Sequence, residues 1–158
     1  MPNIIVLDTN PLSNSAIPSA RIGKVPTKSQ ECRQWLADCV RRGMLVLVPA
    51  ISYYEALREL ERRGATTKIA RLKEFVFGTP GRYVPLTTEH LEIAARLWGV
   101  ARNAGSATAS NDALDGDVIL AAQVISLELG PADYTVATSN VGHLAQFVNA
   151  DNWSDLTA

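Results

Sequence analysis

The stretch Asn3-Ile4-Ile5-Val6-Leu7-Asp8-Thr9-Asn10 decides how the rest of the chain is read. Ile4 to Leu7 is apolar throughout, rich in β-branching, and too short for a helix that would stand alone. Such a run reads as a strand buried on both faces, in the middle of a parallel sheet. It stops on a carboxylate, and in open α/β sheets ligands bind in the crevice beyond the carboxyl ends of the strands. An acid closing a buried strand has no local helix to cap. Asp8 therefore reads as a metal-ligand carboxylate whose partners lie further along the chain.

Working outward, Pro11-Leu12-Ser13 opens a short helix, and the Pro- and Gly-punctuated remainder to Lys28 is a loop. Thr27 or Ser29 caps a helix to about Arg42 that turns Trp35, Leu36, Cys39 and Val40 inward, and Gly43 ends it. Met44 to Val48 is a second buried strand, stopped by Pro49. A helix from about Ile51, capped by Ser52 if it starts slightly later, buries Tyr54, Leu57 and Leu60. Thr66 or Thr67 caps the next, with Ile69, Leu72, Phe75 and Val76 as its stripe. Tyr83 to Leu86 is a short strand that Pro85 assigns to an edge. Thr87-Thr88-Glu89 caps a helix with Leu91, Ala94, Ala95, Leu97 and Trp98 toward the core. Gly105 to Gly116 reads as a loop, after which Asp117 opens the strongly apolar helix Asp117 to Ile125. Tyr134 to Thr138 is the last firm strand, His143 to Val148 a short helix, and the tail adds one edge strand or none. Strands alternating with helices imply right-handed crossovers and a parallel sheet. The expected fold is α/β: a three-layer α/β/α arrangement with a mostly parallel central sheet of four to five strands, in one domain over residues 1–158.

Composition narrows the function classes. With 158 residues, 47% hydrophobic and 20% charged, the chain can bury a real core and matches ordinary globular proteins. A net charge of −1 argues against a dominant nucleic-acid-binding surface while leaving room for a local basic patch. Cys32 and Cys39, about 10 Å apart along one predicted helix, are too distant to bridge. They read as reduced core thiols of a cytoplasmic protein. The N-terminus lacks a basic region before its short apolar run, so no secretory signal is expected. No segment approaches the length of a membrane span.

Strand ends and helix starts carry the chemistry-bearing groups: Asp8, Glu55 early in the helix after the second strand, Asp117, and Thr138-Ser139-Asn140 after the last strand. In a parallel sheet these ends share one side of the molecule. Converging carboxylates repel and raise one another's pKa unless a cation removes the penalty. Hard Mg²⁺ or Mn²⁺ suits oxygen ligands and supports phosphoryl transfer. Asp8, Glu55 and Asp117 are thus expected within shared metal reach, a few Å apart. The plainer readings are that Asp117 only caps a helix and that Glu55 only complements a helix dipole. Asp115 competes with Asp117 across Gly116. Glu59 pairs with Arg62 or Arg63 at helical spacing, and His90 and His143, lacking ligand spacing, read as structural or solvated.

This ordered set resembles the PIN-domain ribonucleases, most closely the VapC-like toxins of toxin–antitoxin operons. Leu7-Asp8-Thr9-Asn10 is similar to that family's opening motif, and Pro49-Ala50-Ile51-Ser52-Tyr53-Tyr54-Glu55 to its second. Asp117-Val118-Ile119-Leu120-Ala121-Ala122 resembles its Asp-x-x-Ile-Ala-Ala block, which favours Asp117 over Asp115. Ala137-Thr138-Ser139-Asn140 resembles its Thr-x-Asp motif, with Asn140 where the family has Asp. The resemblance implies metal-dependent endonucleolytic cleavage of RNA by a metal-activated water, with Mg²⁺ or Mn²⁺ held by Asp8, Asp117 and Glu55. A neutral Asn140 can accept through its carbonyl but brings no charge for a second metal unless Asp115 supplies it. Thr138 and Asn10 become supporting groups, a hydroxyl near the metal water and an amide orienting a carboxylate. The resemblance further implies a homodimer held by a cognate antitoxin. Arg21, Lys24, Lys28, Arg41, Arg42, Arg58, Arg62 and Arg63 are candidates to meet the RNA backbone. Trp35, Trp98, Tyr53 and Tyr54 at helical spacing read as core. Asn140 motivates a rival, a degenerate PIN-like domain that binds RNA or protein without cutting it. A phosphatase or phosphoacceptor domain is the weaker alternative: Asp8-Thr9-Asn10 lacks the second acid of an Asp-x-Asp motif, and no Lys follows a late strand.

Overall fold

Ile5 and Leu7 turn to one face of a sheet and Val6 to the other, and all three are fully buried. The strand they form, β1 (Ile4–Leu7), is covered on both sides, as its unbroken apolar run requires. In the computed structural model, which describes residues 2–105 and 110–158, β1 lies between β2 (Leu45–Pro49) and β4 (Tyr134–Thr138). Ile4 is in register with Leu45 on one side and with Tyr134 on the other. β3 (Tyr83–Val84) pairs with β2, and β5 (Ala150–Asn152) pairs with β4. The sheet has five strands in the order β3-β2-β1-β4-β5, every pairing parallel. The tail thus adds its edge strand, and the Pro85 segment is an edge as expected, though only two residues long.

Seven helices were placed among the described residues: α1 (Thr9–Ser13), α2 (Lys28–Arg41), α3 (Ala50–Arg62), α4 (Thr66–Phe77), α5 (Thr88–Asn103), α6 (Asn111–Ile125) and α7 (Val141–Leu144). One buried cluster joins Ile5 and Leu7 to Leu12, Leu36, Ala56, Leu60, Leu72 and Val76, so α1 to α4 cover that face. A second joins Val6 and Val136 to Leu120, Val124 and Leu144 of α6 and α7. Helix α5 backs α6 through Ala94, Ala101, Leu114, Val118 and Ala122. These are the three layers expected from the alternation of elements.

Several local expectations are corrected. Thr27 does cap α2, in a reciprocal box with Gln30, and Thr87 does the same for α5 with His90. Val40 at the end of α2 is 39% exposed, and on α5 Leu91 is 48% exposed, with Ala95 also facing out. Of the aromatic pair on α3 only one ring can face inward. Tyr53 packs edge-on against Phe77 and Tyr83, at 5.2 and 5.8 Å, and Tyr54 is exposed under Arg58. Strand β2 starts one residue late and ends on Pro49, which occupies the N-cap position of α3. Ser52 is therefore inside the helix, fully buried. Ala65, not a threonine, precedes α4. Helix α7 begins ahead of its predicted place. Most consequentially, α6 begins at Asn111 with Ser110 as its cap. Residues 106–109 of the predicted loop lie outside the described residues, but its second half is helix, so Asp117 does not open that helix.

A proline N-cap offers α3 no side-chain acceptor, and the vacancy is filled from another layer. Gln123 of α6 is fully buried; its Oε1 accepts from the Ile51 N–H at 3.2 Å and its Nε2 donates to the Val84 carbonyl at 2.9 Å. One amide thus ties α6, the start of α3 and the edge strand together. Gln123→Leu keeps the volume and strands both backbone groups, so it is expected to cost about 2–4 kcal/mol. Urea unfolding should show a lower midpoint at unchanged slope.

Candidate active site

The chain runs outward from β1 to β2 and β3, then returns to β4 on the other side of β1. The carboxyl ends of β1 and β4 therefore flank the point where the strand order reverses, the place where such sheets open a crevice. A hydrogen bond crosses it: the Thr138 hydroxyl donates to Asp8 Oδ2 at 2.7 Å. The other Asp8 oxygen accepts from the Thr9 N–H at 2.8 Å, and Asp8 is the N-cap of α1. Asp8 does have a local helix to cap. The premise that it had none fails, because the short helix read from Pro11 begins two residues earlier, at Thr9.

Glu55 sits in the second turn of α3 and faces the same crevice. Its Oε1 accepts from the Thr9 hydroxyl at 3.4 Å, and its Oε2 lies 3.5 Å from Arg58. Burial pushes its pKa up; Arg58 and the Thr9 hydroxyl oppose that rise and Asp8 adds to it. Asp117 comes from the second turn of α6. Its carboxyl is pushed up to about 6, first by burial, then by Asp8 and Glu55, against a lowering by His143. Asp117 thus feels both other acids, and Glu55 feels Asp8, across elements far apart in sequence. Asp117 Oδ2 is buried and has no hydrogen-bond partner. The neighbour it does have is His143, whose Nδ1 lies 3.6 Å away. That nitrogen is also 3.2 Å from the Asn140 amide nitrogen.

The expectation of a ready-made shared ligand set is corrected. No group of three His, Cys, Asp or Glu side chains among the described residues is arranged to hold a metal ion as it stands. Both oxygens of Asp8 are already engaged, and the convergence is electrostatic rather than closed. In charge and chemistry the donors nevertheless fit a hard divalent cation: three partly buried carboxylates, one with an orphaned oxygen, and little cationic compensation.

The supporting residues divide. Thr138 holds Asp8 directly. Asn10 does not orient a carboxylate: its Oδ1 accepts from Ser139 at 2.6 Å, pinning the start of α1 to the end of β4. Asn140 turns its side chain to His143, and its backbone N–H donates to Thr138 Oγ1 at 2.9 Å. Asp115, two residues before Asp117 and so about 200° around the helix, lines the groove with Leu91 and Trp98 of α5. It does not join the other acids. His143 was missed because no other ligand-type residue stands at helical spacing from it. The usable signal was its position just past a strand end. Gly116 was misread as a loop marker, when its missing side chain makes room: a Cβ there would stand 3.0 Å from Glu55 Oε1.

No family model matches the sequence, and no curated protein matches it. Solved structures do. FitAcB from Neisseria gonorrhoeae aligns with a TM-score of 0.65 at 22% identity, over 96% of this chain and 99% of the matched one. The chain has a PIN-like fold. VapBC-1 from nontypeable Haemophilus influenzae aligns with a TM-score of 0.58 at 16% identity, over 96% and 98% of the two chains. No helix among the described residues is long and apolar enough to cross a membrane.

Proposed function

We propose that this chain is a metal-dependent endoribonuclease and the toxin of a toxin–antitoxin pair. One observation carries the reading: Asp8 just past β1, Glu55 of α3 and Asp117 of α6 lie near enough at the strand-order switch for Asp117 to feel the other two, and one Asp117 oxygen is buried without a hydrogen-bond partner. The four motifs in order and the fold shared with VapBC-1 support the toxin half of it. Asp8, Glu55 and Asp117 would hold Mg²⁺ or Mn²⁺, which supplies charge neutralisation and water activation at a phosphodiester. The chain's own residues prepare the site. The Thr9 N–H and the Thr138 hydroxyl fix both oxygens of Asp8, the Thr9 hydroxyl turns Glu55 inward, and Asn140 holds His143 against Asp117. A cognate antitoxin, a homodimer and a cytoplasmic setting belong to the same reading.

The test is cleavage of single-stranded RNA with Mg²⁺ or Mn²⁺ added, and with EDTA. Asp8→Asn is expected to lower kcat/KM about 10²-fold or more, the scale on which a preorganised electrostatic group acts. Asp115→Asn, on the far side of α6, is expected to stay within about twofold of the native rate. A second reading, a PIN-like domain that binds RNA or protein without cutting, is favoured by the hydrogen bonds that already engage both oxygens of Asp8 and by the neutral Asn140. RNA binding with no cleavage under either metal would select it.

A further inference from the structure

Beside the acids lies a polar cleft of about 440 Å³, bordered by Asn10, Asn14, Lys28, Ser139, Asn152 and Trp153. It is continuous with the acid cluster through the chain itself. Asn10 follows the Thr9 that bonds Glu55, Ser139 follows the Thr138 that bonds Asp8, and a 2.6 Å hydrogen bond joins Asn10 to Ser139. Asn152 ends β5, so three strand ends contribute to one crevice. The volume falls in the range of small-molecule sites, and one nucleotide fits within it.

The polar groups are unevenly used. The Asn10 carbonyl accepts from Ser139, and the Asn152 carbonyl accepts from the Ser154 N–H and hydroxyl. Among the described residues no hydrogen-bond partner is recorded for either amide nitrogen. Lys28 places its ammonium 4.9 Å above the Trp153 ring, and no carboxylate pairs with it among the described residues. Two amide N–H₂ groups and a cation are thus offered to an incoming ligand. Such a lining selects a ligand rich in oxygen acceptors and carrying negative charge. Because Lys28 already covers the Trp153 face, a base entering here is read by amides at its edge rather than by stacking.

We infer that this cleft is a nucleotide subsite of the nuclease, taking the phosphate next to the scissile one on Lys28 and its base between the Asn10 and Asn152 amides. The inference rests on the endoribonuclease reading and adds where the RNA strand runs: from the acids over β1 and β4 toward β5 and the first turn of α2. It also assigns the strand's sequence preference to asparagine amides.

The experiment titrates the protein, in EDTA, with AMP, GMP, CMP, UMP and inorganic phosphate. It follows the side-chain amide resonances of Asn10, Asn14 and Asn152 and the Trp153 indole N–H. At least one mononucleotide is expected to shift these signals saturably and more tightly than phosphate does. Lys28→Ala is expected to weaken that binding about tenfold, and Lys28→Arg, which keeps the charge, to restore most of it. Absence of saturable shifts, or phosphate binding as tightly as every nucleotide, would overturn the proposal. The two readings fail separately. Native RNA cleavage with kcat and KM unchanged in Lys28→Ala removes the subsite and leaves the nuclease. Mononucleotides bound in the cleft of a protein that cuts no RNA keep the subsite and remove the nuclease.

Discussion

Asp117→Asn is expected to lower RNA cleavage about 10²-fold or more and, in EDTA at pH 7, to make the protein more stable than the native chain. The two effects have one cause. Asp117 is held at a folded pKa of about 6, well above the ordinary 3.8, by burial and by Asp8 and Glu55. A carboxyl whose pKa rises on folding is bound by its proton more tightly in the native state. Stability is then greatest below pH 4 and falls as pH rises through 6. Near neutral pH the ionised carboxylate costs about 1–2 kcal/mol, the scale of a two-unit shift reduced for partial exposure. Asparagine keeps the shape and removes the charge. Urea unfolding in EDTA should give equal midpoints for the two proteins near pH 4 and a higher midpoint for Asp117→Asn at pH 7. Added Mg²⁺ should narrow or reverse the gap, because a ligand bound by the native state adds stability that the variant cannot share. If Asp117 were a structural residue paired with His143, the asparagine variant would be the less stable one at pH 7 in EDTA, and the assignment would be lost.

How much of this was legible depends on what each element advertises. Strands β1 and β4 announce themselves because a parallel strand buried on both faces must be apolar throughout, and Tyr134–Thr138 was placed to the residue. The acids were read for a related reason: Asp8 follows an apolar run and Asp117 precedes one. What failed was context supplied by other elements. Asn111 to Gly116 looks like loop by composition, yet Leu114 and Val118, four apart, are both buried and lie on one helix face. The glycine that hid this helix is there for Glu55, which only the packing of α3 on α6 reveals. Tyr54 and Val40 belong to apolar stripes in the sequence but fall beyond the edge of the core, since a stripe has a direction and not a width. Gln123 reads as an oddity in an apolar helix until the proline-capped start of α3 is set beside it. His143 and Asn140 form a pair that exists only because α7 starts directly after β4.

Substituting Gly116 should separate site geometry from fold more cleanly than removing an acid. Glycine in a helix interior costs about 1 kcal/mol relative to alanine, and Gly116 lies well within α6. A Cβ there meets Glu55 Oε1 at 3.0 Å and the Glu55 carboxyl carbon at 3.6 Å. The first is the far end of a flexible side chain, so Glu55 yields and the backbone need not. Gly116→Ala is therefore expected to leave the protein as stable or more stable while pushing the Glu55 carboxylate a few tenths of an ångström from its place. Cleavage should fall about tenfold. Gly116→Leu, an equally good helix former, displaces Glu55 outright, and the loss should reach about 10²-fold, as misplacement on the ångström scale does elsewhere. Circular dichroism and urea midpoints establish that the helix persists, and kcat/KM with Mg²⁺ reads the site. A graded loss of activity against rising or level stability would place Glu55 among the working groups. Full activity in the leucine variant would show that Glu55 takes no part, and the site would reduce to Asp8 and Asp117. The glycine is thus the sequence's trace of the site's demand for space, set one residue before Asp117 and against Glu55.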